Sequence, residues 1–216
     1  MKDKQTYLMK GSFALLLFVI LGYIVKFYPD ILIGFDQPIQ TAIRGDLPAS
    51  LTFLFRTITH LIDIPVIITW VLIVAFIFYR KQWKMESYLM LGNLALAGIL
   101  IVTFKNIYQR PRPEIVHLVE EKGFSFPSGH SLAVTIMVGT LIVILSHRIK
   151  NSAWRKVVQI LLSLYLVSVL VSRAYLGVHY PSDVIASLCV GLGVLFMEFP
   201  FYDKLRFQWR FKGKQR

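Results

Sequence analysis

The chain has 216 residues, 56% of them hydrophobic and only 17% charged, which excludes a soluble globular domain and points to an integral membrane protein. Its net charge of +12, from 24 Lys and Arg against 12 Asp and Glu, raises nucleic acid as a partner until the positions of those cations are considered. A single cysteine excludes a disulfide framework and a thiolate metal site.

A bilayer core of ~30 Å needs roughly 17–25 helical residues per span. Six segments qualify, some only with their flanks: 11–28, 54–79, 86–104, 131–146, 157–172 and 184–199. The first follows Lys2, Lys4 and Lys10. No small-residue cleavage site comes after it in Lys26-Phe27-Tyr28-Pro29-Asp30, so it reads as a retained anchor rather than a signal peptide. Residues 29–50, with Asp30, Asp36, Pro38, Asp46 and Pro48, are an outer loop with a short interfacial helix at 36–44. Near the outer start of the second segment, Arg56, His60 and Asp63 share a helical face, either as an interfacial polar stripe or as the rim of a substrate cleft. Residues 105–127 form the second large outer loop and 174–182 a short third one. Tyr175 and Tyr180 read as interface aromatics. Cys189 reads as a small core hydrophobe of the last span. No repeat or linker divides the chain, so the expectation is one all-α, six-span domain over residues 1–216.

The cations set its orientation. Lys2, Lys4 and Lys10 precede span one, and Arg80, Lys81 and Lys84 follow span two. Arg148, Lys150, Arg155 and Lys156 lie between spans four and five, and Lys204, Arg206, Arg210, Lys212, Lys214 and Arg216 follow span six. These groups fall at alternate ends, the positive-inside pattern, which places both termini in the cytoplasm. The basic tail then answers to topology and anionic lipid headgroups, not to nucleic acid.

With the N-terminus inside, three polar clusters meet on the outer side. Span three delivers Lys105 and Arg112, span four begins with Pro127-Ser128-Gly129-His130, and Ser172-Arg173 and His179 to Asp183 join spans five and six. Cations at one helix end can be snorkelling interfacial residues. Three of them flanking two histidines on a sparsely basic side suit a phosphate, for which Arg offers a fork and Lys a compact charge. Ser128 and Gly129 after Pro127 look like the first turn of a helix, whose free amides and dipole favour an anion. His179 and Asp183 are four apart and share a face if the last helix begins near Pro181. A carboxylate on one imidazole nitrogen fixes the tautomer and leaves the other to attack, with the second histidine as general acid. These roles are consistent with a phosphohistidine, and the residues alone do not say which histidine attacks. Asp183 also suits a helix N-terminus electrostatically. Arg110 reads equally as a lipid-headgroup contact and as an ordinary loop charge. Glu114, Glu120 and Glu121 lack companions for a metal site.

Lys105, six residues, then Arg112-Pro113; Pro127-Ser128-Gly129-His130; and Ser172-Arg173, five residues, His179, three residues, Asp183 resemble the three signature motifs of the type-2 phosphatidic acid phosphatase superfamily. That superfamily includes bacterial phosphatidylglycerophosphate and undecaprenyl diphosphate phosphatases and vanadium haloperoxidases. The resemblance implies His179 as nucleophile, His130 as general acid and Asp183 as the partner of His179. It implies Lys105, Arg112, Ser128, Gly129 and Arg173 as phosphate ligands, and catalysis with no cofactor and no divalent metal.

The expected function is therefore a multi-pass plasma-membrane lipid phosphatase. Its site faces the extracytoplasmic side and acts on phosphatidylglycerophosphate, undecaprenyl diphosphate or both. Its expected partners are the lipid phosphate substrate and membrane lipids, without nucleic acid or an obligate protein partner. Alternative readings are a broad phosphatidate phosphatase and a non-catalytic lipid-phosphate binder or transporter, which would need no pair of histidines. A vanadate-dependent oxidase is disfavoured by the six spans.

Overall fold

A computed structural model describes residues 4–213, so Lys2, Lys214 and Arg216 of the topology pattern lie outside the described residues. Among the described residues the regular structure is helical throughout. Helix α1 spans Lys4–Phe27, α2 Ile33–Arg44, α3 Ala49–His60 and α4 Ile64–Arg80. Helix α5 spans Lys84–Tyr108, α6 Gly129–Arg148, α7 Ser152–Tyr175 and α8 Pro181–Phe211, and a short 3-10 turn covers Pro29–Leu32. Five of these helices (α1, α5, α6, α7 and α8) are long and apolar enough to cross a membrane, and α3 with α4 counts as a sixth if the bent pair is one span.

That bend departs from the continuous segment expected at 54–79. The chain turns by 54° between α3 and α4, with Pro65 in the first turn of α4. A proline ring has no N–H and clashes with the carbonyl four residues back, so α3 cannot run on into α4. The turn leaves Asp63 as the N-cap residue of α4, although its side chain makes no capping hydrogen bond.

Helix α6 is the central post. Its lining residues Leu132, Val134, Ile136, Met137 and Val138 are almost wholly buried, and α5, α7 and α8 all pack on it. Helix α1 closes the bundle against α8. Lipid tails are as apolar as leucine, so helix association in a bilayer relies on close packing and internal polar contacts. Both are present. Gly191 of α8 lies so close to Thr135 of α6 that a Cβ at this position would come within 2.4 Å of the threonine methyl. Asn93 of α5 donates to Thr140 of α6 at 2.7 Å. At the end away from His130 and His179, the fully buried Glu86 of α5 receives Arg148 Nε of α6 at 2.8 Å and Tyr202 Oη of α8 at 3.3 Å.

Candidate active site

At the opposite end, the starts of α6 and α8, the ends of α5 and α7 and the 109–128 loop converge. Helix α8 begins at Pro181, where the missing N–H costs nothing because the first turn has no partner for it. His179 therefore sits just before the helix and Asp183 in its first turn. Helix α6 begins at Gly129, later than the sequence reading suggested: Pro127 and Ser128 precede the helix. Ser128 is its N-cap, with its hydroxyl accepting the Ser131 amide at 3.4 Å.

His179 is buried, and both ring nitrogens have partners. Its Nε2 lies 3.3 Å from Arg112 Nη1. Arginine can only donate, so Nε2 presents its lone pair on that side. Its Nδ1 lies 3.4 Å from Ser125 Oγ, which in turn donates a short hydrogen bond to Asp183 Oδ2. The Nδ1–H, the hydroxyl and the carboxylate thus form a directed chain. The direct pairing of His179 with Asp183 expected from their spacing is replaced by this chain, since Nδ1 and Oδ2 stand 3.6 Å apart, beyond hydrogen-bond range. Burial, reinforced by Arg173, Arg112 and Lys105, holds the His179 imidazole well below its usual pKa, so the ring is neutral at pH 7.

Asp183 is wholly enclosed and fully satisfied. Besides Ser125 it receives the Tyr180 amide at 2.9 Å and Arg110 Nη1 at 2.5 Å. Arg110 reaches on to Asp36 of α2 at 2.8 Å and Ser182 Oγ at 2.8 Å, and its guanidinium stacks 3.8 Å from the Tyr180 ring centre. It is neither a headgroup contact nor a free loop charge. It is a buried clasp between helix α2 and the start of α8. Tyr175 and Tyr180 also differ from the interfacial expectation. Tyr175 is fully buried with its hydroxyl 2.8 Å from Thr52 Oγ1, and Tyr180 covers Arg110.

The cations are fixed by their surroundings. Lys105 Nζ donates to Phe124 O at 2.8 Å. Arg112 holds the loop through Gly123 O at 3.1 Å, Lys122 O at 2.9 Å and Val178 O at 2.7 Å. Arg173, 1% exposed, donates to Thr59 Oγ1 at 2.7 Å and makes a short ion pair with Glu121. The Glu121 carboxylate also lies 3.5 Å from Arg112 and 3.4 Å from His130 Nδ1. Burial pushes its pKa up, but Arg173, His130, His179 and Arg112 outweigh this and bring it below the ordinary glutamate value. An internal carboxylate therefore occupies the point where two arginines and His130 face one another. The other nitrogen of His130, Nε2, is 3.0 Å from Asp63 Oδ1.

Two cavities open on this point. One, of about 790 Å³, is polar and bounded by Arg56, Thr59, His60, Asp63, Glu121 and Arg173. Arg56, His60 and Asp63 thus form a cleft rim rather than a bare interfacial stripe. The other, of about 490 Å³, runs from His130, His179 and Lys105 along apolar side chains of α4 and α5, among them Ile64, Ile68, Ile101 and Val102. The arrangement suits an anion joined to an apolar tail.

His130, His179, Asp183, Lys105, Arg112, Ser128, Gly129 and Arg173 are gathered here, with Gly129 beside Lys105: a Cβ on Gly129 would lie 3.9 Å from the lysine Cε. Ser128 is fully buried, its amide 3.5 Å from Asp183 O and its carbonyl accepting Ser187 Oγ at 3.0 Å. Asp36 and Ser125 carried no sequence signal, since each acts through a partner at least 58 residues away. Glu121 had one: a loop carboxylate topologically close to three cations.

Comparison with known proteins places this geometry. Residues 87–207 match the PAP2 superfamily. The chain is 36% identical over 138 residues to phosphatidylglycerophosphatase B of Bacillus subtilis, covering 63% of this chain and 66% of that one. It is 31% identical over 143 residues to the undecaprenyl-diphosphatase BcrC of the same organism, covering 63% and 68%. The match thus spans about two thirds of the length of these relatives. The crystal structure of a transmembrane PAP2-type phosphatidylglycerolphosphate phosphatase from Bacillus subtilis superposes with a TM-score of 0.80 at 28% identity, over 91% of this chain and 97% of that one. With more than half of its residues inside the family match and the whole bundle shared, the chain belongs to the PAP2 superfamily.

Proposed function

We propose that this protein is an integral membrane phosphatase that hydrolyses the terminal phosphate of a lipid phosphate or diphosphate through a phosphohistidine on His179. The observation that carries the reading is the Glu121 carboxylate held by Arg173 and Arg112 beside His130, which marks a built anion site at the mouth of an apolar groove. The phosphoryl group takes that carboxylate's place among Lys105, Arg112 and Arg173, with the Ser128–Gly129 start of α6 adding its dipole. The tail lies in the groove between α4 and α5.

His179 Nε2 attacks phosphorus with its lone pair, and the bond from phosphorus to the lipid oxygen breaks. His130 gives that oxygen its proton. Water then attacks the phosphohistidine while His130 takes back a proton, releasing inorganic phosphate and restoring both rings. Lys105, Arg112 and Arg173 stabilise charge on the equatorial oxygens, the largest single term expected in such catalysis. The neutral state of His179 supports its role as nucleophile, since an imidazolium has no lone pair to offer.

The basic residues Arg80, Lys81, Lys84, Arg148, Arg155 and Arg210 all lie at the bundle end away from His130 and His179. That supports cytoplasmic termini and an extracytoplasmic site in the plasma membrane. The names of the relatives support phosphatidylglycerophosphate and undecaprenyl diphosphate as the substrates to try first.

The test uses detergent-purified protein in excess chelator, with phosphate release followed from phosphatidylglycerophosphate, undecaprenyl diphosphate and phosphatidate in parallel. Release from one or more is expected, and so is its loss in His179→Ala. Release undiminished in His179→Ala would remove that residue as nucleophile. No release from any lipid by folded wild-type protein would favour a non-catalytic binder.

A further inference from the structure

We propose that Asp63, which lies outside the three motif clusters, is the positioning residue of His130, aiming its Nδ1 at the leaving oxygen. The inference rests on the phosphatase reading above.

The carboxylate Oδ1 stands 3.0 Å from His130 Nε2 and can only accept, so Nε2 carries a proton at all times. Proton exchange is thereby confined to Nδ1, which faces the site: its neighbour there is Glu121, in the place assigned to the phosphoryl group. With the substrate bound, the imidazolium gives its Nδ1 proton to the lipid oxygen. It remains as the neutral ring protonated at Nε2, whose free Nδ1 then takes the proton of the attacking water. Asp63 stays ionised and transfers nothing.

The geometry around Asp63 fits this use. It occupies the N-cap position of α4, yet its side chain caps no amide. Both oxygens are instead committed to histidines, the second to His60 Nδ1 at 2.7 Å. The 54° bend and Pro65 turn this carboxylate out of the helix path and against α6. Asp63 thus does for His130 what the Ser125–Asp183 chain does for His179. The two histidines are oriented by separate carboxylates, one of them on an element that carries none of the motifs.

The other charged or titratable groups facing His130 are Glu121 and Lys122 of the loop, Lys105 of α5, Arg173 of α7 and His179 just before α8. All are left in place by a change at position 63. Removing the negative charge of Asp63 disfavours the protonated His130 ring, so the basic limb of the pH profile must move to lower pH.

The experiment measures kcat/KM against pH for wild type, Asp63→Asn, Asp63→Glu and His130→Ala, with two detergent-dispersed substrates. One is phosphatidate, whose alkoxide needs a proton to leave. The other is a nitrophenyl phosphate bearing an alkyl tail, whose phenolate does not. Asp63→Asn is expected to lose about 10–100-fold on phosphatidate, with the basic limb lowered by about one pH unit, and to lose less than about 3-fold on the aryl phosphate. Asp63→Glu restores part of the phosphatidate rate. Equal losses on both substrates, or an unmoved basic limb, would overturn the positioning role while leaving the phosphatase reading intact, provided His130→Ala still discriminates between the substrates. Wild-type protein that hydrolyses neither of these, nor phosphatidylglycerophosphate or undecaprenyl diphosphate, would overturn both.

Discussion

Replacing Arg110 with methionine removes a cation from between two carboxylates that have no other charge to neutralise them at comparable distance. Arg110 is 8% exposed, and its partners Asp36 and Asp183 are 1% and 0% exposed. The guanidinium bridges them at 2.8 and 2.5 Å. Methionine fills a similar volume and keeps an apolar contact with Tyr180, so what is lost is the charge with its cation–π contact and its hydrogen bonds. Breaking a buried pair by deleting one partner costs about 3–5 kcal/mol, because the remaining charge is left unsolvated. At roughly 2–4 °C per kcal/mol for a chain of this size, the unfolding midpoint should fall by about 6–20 °C. The assay is thermal unfolding in detergent, followed by intrinsic fluorescence and by exposure of Cys189 to a thiol reagent. Arg110→Lys should recover only part of the loss, since one ammonium cannot span both carboxylates as a planar fork does. Asp36→Asn in the Arg110→Met background should be less damaging than in wild type, because it removes one of the stranded charges. An Arg110→Met protein within about 1 kcal/mol of wild type would refute the clasp.

Three further outcomes are expected. Gly191→Ala puts a methyl group 2.4 Å from the Thr135 methyl, on a β-branched side chain with little freedom to move, and should cost about 1–3 kcal/mol in the same unfolding assay; an unchanged midpoint would show that α6 and α8 can separate freely. Glu121→Gln keeps the shape but removes the negative charge from the anion site, so inorganic phosphate should inhibit at least about 10-fold more tightly, and weaker inhibition would show that Glu121 does not compete with the phosphate. The depressed pKa of His179 means that the unfolded chain binds a proton there first. Stability should therefore fall as pH drops from about 6.5 toward the lower folded value, by up to about 1.4 kcal/mol per pH unit. His179→Gln should flatten that slope, and an unaltered slope would show that another group is responsible.

The helical membrane class, the segments that became α1, α5, α6, α7 and α8, and the three polar clusters at their ends were legible because each depends on composition or on spacing within one element. Apolar runs of bilayer length have few other uses, and cations near histidines at helix ends are costly enough to need a purpose. A proline two residues inside an apolar run was visible too, at position 65, but hydropathy averages over it and so joined α3 to α4. The relations between elements were not legible. The spacing of four between His179 and Asp183 correctly places them together, yet whether they touch depends on Ser125, which reaches them from the loop. Asp36 lies in the short amphipathic helix α2 and looks like any solvated carboxylate until α2 folds onto α8 and Arg110 closes over it. Asp63 reads as one polar residue of a helical stripe until the bend brings it to His130. Composition and spacing alone were enough to show which polar clusters would gather at one end of the bundle. Which carboxylate lies beside which histidine depends on the folded packing, because a hydrogen bond requires approach to within about 3 Å and that precision arises between distant segments.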